Sequence, residues 1–336
     1  MIKRVLLSLA LCLAATMAVA DPRDRDVLLT SDGTLYTVEI ASNTTATNDQ
    51  SSWYLILTTQ TGTRRTSTPV PGSLAGGAHS NPALGYDAES DTLFLFWQQA
   101  ENGGLSSRLL FSSYHKGSWS DATTLDSVDW DLHRNLKIAV TRFIEAGDAA
   151  GKRILVPQLT VHAVWWQESG MGEWARYAMI TIDRGAVVDI QLRSLPEFAG
   201  LTINRTPLRS MSPHEVLRHP AVAATPGRDA VDIVFGHTQT DSLHRVRLKP
   251  TNDGRLRIPI GIRDEQVGRP SLDAGVNSIH AVIEGDRIAF YTTAEDALSF
   301  VLYKNGGWSN ERNLALSEKI TSEAAVGALR KMVAGE

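Results

Sequence analysis

Thiols are almost missing from this chain. Among 336 residues there is a single cysteine, Cys12, and it falls inside an N-terminal segment that reads as a leader. Lys3 and Arg4 are followed by an apolar run from Val5 to Ala15, then by Ala18-Val19-Ala20 ahead of the polar stretch that opens at Asp21. That order of charge, apolar run and A-x-A site is a secretory signal peptide, so residues 1–20 are expected to be removed. The run is shorter than the ~20 apolar residues that cross hydrocarbon, which argues against a membrane anchor. Leu11, before Cys12, is not the small residue of a lipoprotein cleavage site. A mature chain without cysteine excludes disulfides, thiolate zinc sites and a cysteine nucleophile together. An exported protein held by its core alone fits a bacterial periplasmic or secreted location.

Other absences narrow the function. The formal charge of −4 lacks the basic excess that neutralises phosphates, so no nucleic-acid partner is expected. There is no G-x-S-x-G elbow and no G-x-G-x-x-G dinucleotide fingerprint. Gly147 to Lys152 is one residue short of a phosphate-binding loop, and Arg153 stands where a magnesium-holding Ser or Thr belongs, so it reads as a hairpin loop. His214 and His219 flank a run bounded by Pro213 and Pro220. Zinc-binding histidines on a helix sit four apart, and the fifth position turns well over 100° away. No metal and no cofactor is expected.

What the chain does contain is a repeat. The segment from Pro82 to Trp119 reads PALGYD, TLFLFWQQ and LLFSSYHKGSWS, and that from Pro270 to Trp308 reads PSLDAG, RIAFYTT and LSFVLYKNGGWS. Their last halves align without a gap: Leu109 with Leu298, Phe111 with Phe300, Tyr114 with Tyr303, Trp119 with Trp308. Weaker copies start near Pro220 and Leu136, and another opens with DVLLTSDG and TLYTVEIA. Each copy is a set of short strands rich in β-branched and aromatic residues, separated by turns such as Ser31-Asp32-Gly33 and Glu284-Gly285-Asp286. Leu93 to Trp97 and Val161 to Trp166 are apolar at consecutive positions, the mark of strands buried on both faces. Small antiparallel sheets that repeat every ~50 residues, each packed between two neighbours, describe an all-β β-propeller. Copies beginning near residues 27, 81, 135, 219 and 269 imply about five blades, with six as the alternative count. The propeller is expected over 21–316. Ala325, Val326, Leu329, Met332 and Val333 fall at helical spacing, with Arg330 and Lys331 in the last turn, so a short C-terminal helix is expected within 317–336.

Lys304-Asn305-Gly306-Gly307-Trp308-Ser309 and Lys116-Gly117-Ser118-Trp119-Ser120 follow strands and resemble the Asp-box turn of sialidase-like propellers. The match is degenerate, because Asn305 stands where the box has Asp and the Thr is missing. The resemblance implies the fold. It places neither the arginine triad nor the tyrosine nucleophile of sialidases.

Position supplies the candidate site. In a propeller the residues just before each innermost strand ring the mouth of the central channel. Here they are His79 and Asn81, then His133, Arg134 and Asn135, then Arg218 and His219, then Arg269. Second strands return to the same end and finish in Gln98, Gln99, Gln167, Glu168, His237 and Gln239. The predicted ligand-binding set is His79, Asn81, Arg134, Gln167, Glu168, Arg218, His219, His237 and Arg269, a polar and locally cationic rim. These groups could equally close the ring by pairing with buried backbone. Trp119 and Trp308 read as packing anchors. Absence of catalytic motifs points first to a non-catalytic binding protein for a polar or anionic ligand such as a glycan. A sialidase-like or arabinanase-like glycoside hydrolase is the alternative; it needs two carboxylates at the channel, of which Glu168 is the best placed and Asp26 the next. A scaffold that docks a partner protein is the third reading.

Overall fold

The computed structural model describes residues 25–30, 32–42, 53–74, 78–101, 106–128, 131–147, 152–169, 172–194, 202–203, 206–207, 217–224, 229–237, 242–250, 256–257, 265–268, 280–284, 287–293, 297–304, 307–308 and 312–315. Its elements are strands apart from one 3-10 turn at Pro71–Ser73. The first sheet runs β1 (Arg25–Leu29), β2 (Leu35–Ser42), β3 (Trp53–Thr61) and β4 (Arg64–Pro69) in spatial order. The second runs β5 (Ala78–Asp87), β6 (Thr92–Glu101), β7 (Ser106–His115) and β8 (Ser118–Trp119), with β9 (Thr123–Val128) also paired to β7. The third comprises β10 (Asp131–Gly147), β11 (Arg153–Ser169), β12 (Gly172–Asp183) and β13 (Ala186–Ser194). A two-stranded ribbon, β14 (Thr202–Ile203) and β15 (Thr206–Pro207), precedes the fourth sheet of β16 (Leu217–Ala224), β17 (Val231–His237), β18 (Ser242–Pro250), β19 (Leu256–Arg257) and β20 (Glu265–Gly268). The last sheet holds β21 (His280–Glu284), β22 (Arg287–Thr293), β23 (Ala297–Lys304), β24 (Gly307–Trp308) and β25 (Arg312–Ala315). Among the described residues all pairings are antiparallel and join chain neighbours except β7–β9, β18–β20 and β23–β25, and β1, β5, β10, β16 and β21 lie consecutively side by side. This is a β-propeller arrangement, as the repeat predicts. The predicted helix of the last twenty residues lies outside the described residues.

The repeat is physical. Tyr114 pairs with Trp119 and Phe111 with Thr123, and in the last sheet Tyr303 pairs with Trp308 and Phe300 with Arg312, the same offsets. The first halves do not correspond as the two proline-led segments suggest. The inner strand of the last sheet begins at His280, and Pro270 follows the outer strand β20 of the sheet before it.

Consecutive apolar residues in β6 serve two cores at once. Phe94 and Phe96 join Phe111, Ile138, Val140, Val161 and Trp165 between the second and third sheets. Leu93, Leu95 and Trp97 join Val38, Leu55 and Leu57 between the first and second. Alternate side chains of a strand point to opposite faces, so a strand packed on both sides must be apolar throughout. Gly85 lets β5 approach β10: a Cβ there would lie 2.9 Å from Ile138 Cδ1.

Buried charge ties the inner strands together. Asp87, fully buried at the end of β5, accepts Nε of Arg142 from β10 at 2.7 Å, a second bond from Nη2, and the Ser90 backbone N–H at 3.0 Å. Burial by itself would raise the Asp87 pKa, but Arg142 and Ser90 hold it at about 2. Asp232 and Arg247 form a comparable two-bond pair across β17 and β18, at 2.9 and 2.7 Å. In the third sheet a buried His162 bridges Thr141 Oγ1 at 2.7 Å and Tyr177 Oη at 2.6 Å, and burial lowers its pKa to about 3.

Removing one partner of a buried pair leaves an uncompensated charge, which typically costs about 3–5 kcal/mol; Arg142→Ala is expected to destabilise by that amount in urea unfolding. Both depressed pKa values make acid destabilising. His162 stays neutral in the fold but is protonated in the unfolded chain below pH ~6.5, and Asp87 stays ionised in the fold but is protonated when unfolded below pH ~4. Stability is therefore expected to fall as pH drops from ~6.5, and again from ~4 towards 2. His162→Gln, which cannot be charged, is expected to flatten the upper part of that profile in pH-dependent thermal unfolding.

Candidate functional site

Three inner strands break register at the same place. The shift lies between Ser80 and Ala83 in β5, between Arg134 and Lys137 in β10, and between Arg218 and Ala221 in β16. The bulged pairs are Asn81-Pro82, Asn135-Leu136 and His219-Pro220. Proline cannot donate to a ladder and is confined to bulges or edges within sheets, which explains the break in β5 and β16. Asn81 takes φ 48°, the left-handed region that Asn tolerates best among residues with a Cβ. A bulge bends the strand and re-aims its side chains, and here it does so in one layer at one end of three adjacent sheets.

That layer gathers much of the predicted rim. Ser80 faces Gln98 and His79 faces Gln99 in the second sheet; Arg134 faces Trp166, His133 faces Gln167 and Leu132 faces Glu168 in the third; Arg218 faces Gly236 and Leu217 faces His237 in the fourth. Arg134 and Arg218 thus occupy equivalent register positions in adjacent sheets. Arg269 lies outside the described residues, one position after β20 and eleven before β21 opens at His280, so it does not immediately precede an inner strand as expected.

Two members of the rim have described side chains, and both look inward. His79 is 1% exposed, and its Nε2–H donates to the Ser73 carbonyl at 2.8 Å, which fixes the 3-10 turn against β5. Burial lowers its pKa, so the ring stays neutral. Asn81, also buried, donates from Nδ2 to Gln98 Oε1 at 3.0 Å and so pins the bulge to β6.

A carboxylate and an ammonium lie one level beneath the bulges. Asp26, near the start of β1, accepts the Leu84 backbone N–H at 2.7 Å through Oδ2, and its Oδ1 lies 3.6 Å from Lys137 Nζ. Three inner strands meet at this point, and the two side chains are 11% and 13% exposed. Sequence reading ranked Asp26 low and did not single out Lys137. Its signal is visible in retrospect: Lys137 is the first residue after the bulge, where β5 and β16 carry Ala83 and Ala221. The rim lies apart from the open groove of about 590 Å³ on the outer edge, between the β8–β9 segment and β13, lined by Phe111, Asp121, Val187 and Ile190 among others.

No protein-family model and no curated protein matches the sequence. Solved structures resemble it distantly. A Hadza microbial sialidase shares 12% identity over 88% of this chain and 58% of its own, with a TM-score of 0.46. An exo-β-1,3-galactanase from Phanerochaete chrysosporium shares 9% over 82% and 59%, at 0.40, and a thermostable family-43 glycoside hydrolase 10% over 90% and 97%, at 0.44. The chain spans under two thirds of the first two proteins. At these identities and TM-scores the likeness assigns no family and no activity to this chain.

Asn81→Ala is expected to cost about 2 kcal/mol, since it leaves buried Gln98 short of a donor and puts Ala at positive φ. Asn81→Gly is expected to cost about half of that, because only the hydrogen bond is lost. Denaturant unfolding of both variants checks the order.

Proposed function

We propose that the protein is an exported glycoside hydrolase of β-propeller type, with its glycan bound at the bulged end. The observation that carries this reading is Asp26. Its carboxylate stands at the meeting point of three inner strands, held between a backbone N–H and the Lys137 ammonium. Glu168 comes to the same end from β11, opposite Leu132. Glycosidic-bond hydrolysis requires two carboxyl groups flanking the bond, and Glu168 is proposed as the second. A carboxylate fixed by donors is an acceptor and suits the base or nucleophile, which leaves Glu168 as the proton donor. Arg134, Arg218, His219, His237 and Gln167 would line the approach and hold hydroxyls or an acidic group of the sugar. On this reading the five sheets of four or five strands are five blades, and residues 1–20 direct export before removal.

The binding-protein reading retains one argument. Asp26, His79 and Asn81 each make an internal hydrogen bond that holds the side chain in place, which suits a rim that holds a ligand without chemistry. Reducing-sugar release from arabinan and β-1,3-galactan, and sialic acid release from sialyllactose, separate the two. Turnover of one substrate is expected, with Asp26→Asn and Glu168→Gln each lowering kcat by at least about 100-fold. Binding without turnover of any of them would sink the hydrolase. Loss of turnover accompanied by an equal fall in Tm would show that Asp26 only closes the ring.

A further inference from the structure

We propose that the end opposite the bulges carries a second binding site, an aromatic cage at the junction of the first two sheets that takes an alkylammonium cation. It goes beyond the hydrolase reading and shares no residue with the rim. Four rings border one core there: Tyr36 near the start of β2 packs on Tyr86 near the end of β5, and the ladder sets Tyr86, Leu93, Tyr114 near the end of β7 and Trp119 in β8 side by side in one row. Each is half-buried, packed on one side against the core that contains Leu93, Leu95 and Trp97. Tyr36 and Tyr86 meet across the sheet junction, centroids 5.9 Å apart and planes at 33°. Tyr114 and Trp119 lie 5.0 Å apart at 48°.

The polar groups around the rings are carboxylates. Tyr86 Oη donates to Asp91 Oδ1 at 2.8 Å. Asp91 is exposed and takes φ 48° in the β5–β6 turn, where its carbonyl accepts the His115 ring N–H at 3.2 Å, so the turn is fixed from two sides. Burial raises the pKa of Tyr36, and the charges of Asp91 and Asp32 push it the same way. The cationic groups on neighbouring turns are His115 and Lys116 after β7, and Arg64 and Arg65 at the start of β4. Lys116 is exposed.

Charge complementarity selects the occupant. Aromatic faces carry the negative part of the ring quadrupole and attract cations within about 6 Å. Carboxylates beside them add to that field, and one of them is preorganised by Tyr86 and His115. A neutral sugar stacks best on a flat exposed ring. Here each ring is tilted against its partner, which makes walls instead of a platform.

Calorimetric titration with choline, set against its neutral isostere 3,3-dimethylbutanol, tests the site. Choline is expected to bind at least about tenfold more tightly than the isostere, and more weakly as salt is raised. Asp91→Asn keeps an acceptor for Tyr86 and tolerates the left-handed turn, so it is expected to fold normally and weaken choline about tenfold. Lys116→Ala is expected to tighten it. Asp26→Asn should leave choline binding unchanged, which keeps this outcome separate from that of the hydrolase assay. No choline binding, equal binding of choline and the isostere, or an unaltered affinity in Asp91→Asn overturns the proposal.

Discussion

Everything in this fold depends on how closely consecutive inner strands can approach. An inner strand pairs with its own sheet on one side only, so its other edge presents backbone groups to the channel, where each needs a partner or water. The first three sheets solve this with specific side chains. Asp26 reaches across to the Leu84 N–H, Lys137 sits against the same carboxylate, and Arg142 reaches from β10 to buried Asp87. The contacts are made three residues apart along β5, at Leu84 and Asp87, and five apart along β10, at Lys137 and Arg142, one near the bulges and one towards the far end. Together they set both the spacing and the relative height of the strands. Gly85 lies between them, where any side chain would press on Ile138 and Val140. The apolar faces supply most of the stabilisation, but they are non-directional. Charge pairs and the missing Cβ give the junction one registration.

That division explains what could be read from the sequence. Apolar continuity in Leu93 to Trp97 announces a strand with neighbours on both faces because burial acts on every residue in turn. The Tyr-Trp pairs of β7–β8 and β23–β24 kept their spacing because a short hairpin fixes the offset between two paired positions. The beginning of the last sheet was misplaced because the match of Pro270 to Pro82 rested on a few turn-forming residues, which follow outer strands as readily as they precede inner ones. His280 to Glu284, followed at once by the Glu284-Gly285-Asp286 turn and Arg287 to Thr293, is the stronger hairpin signal. Arg142 had no local signal at all, and Lys137 had only its place after a bulge. Their partners lie in other sheets, and a lone basic residue in a strand looks the same whether it meets solvent or a buried acid.

The rim was legible as a position and not as a set of roles. Residues at the head of β5, β10 and β16 were found because the repeat phases them. The sequence could not say that His79 and Asn81 turn inward, because the Ser73 carbonyl and Gln98 that engage them become neighbours only through the 3-10 turn and the bulge. Asn-Pro in one copy and His-Pro in another hint at the bulge, since the ladder must break where a proline enters it. Asn135-Leu136 carries no such mark, yet bulges at the equivalent place.

The two ends of the sheets differ in a way that follows from those bulges. At the bulged end the ladder is interrupted in three strands, and in β5 the side chains of Asn81 and Gln98 bond to each other across the break. At the opposite end the strands run in register into tight turns, and Tyr36, Tyr86, Tyr114 and Trp119 extend the core to the surface. Polar atoms placed to repair a broken ladder are already aimed at hydrogen-bonding partners, and a glycan offers the same donors and acceptors as the backbone they complete. The aromatic end has no broken ladder to repair and presents rings and carboxylates instead. The two ends of the first two sheets therefore carry different groups, hydrogen-bonding side chains beside the bulge at one and aromatic rings with a carboxylate at the other.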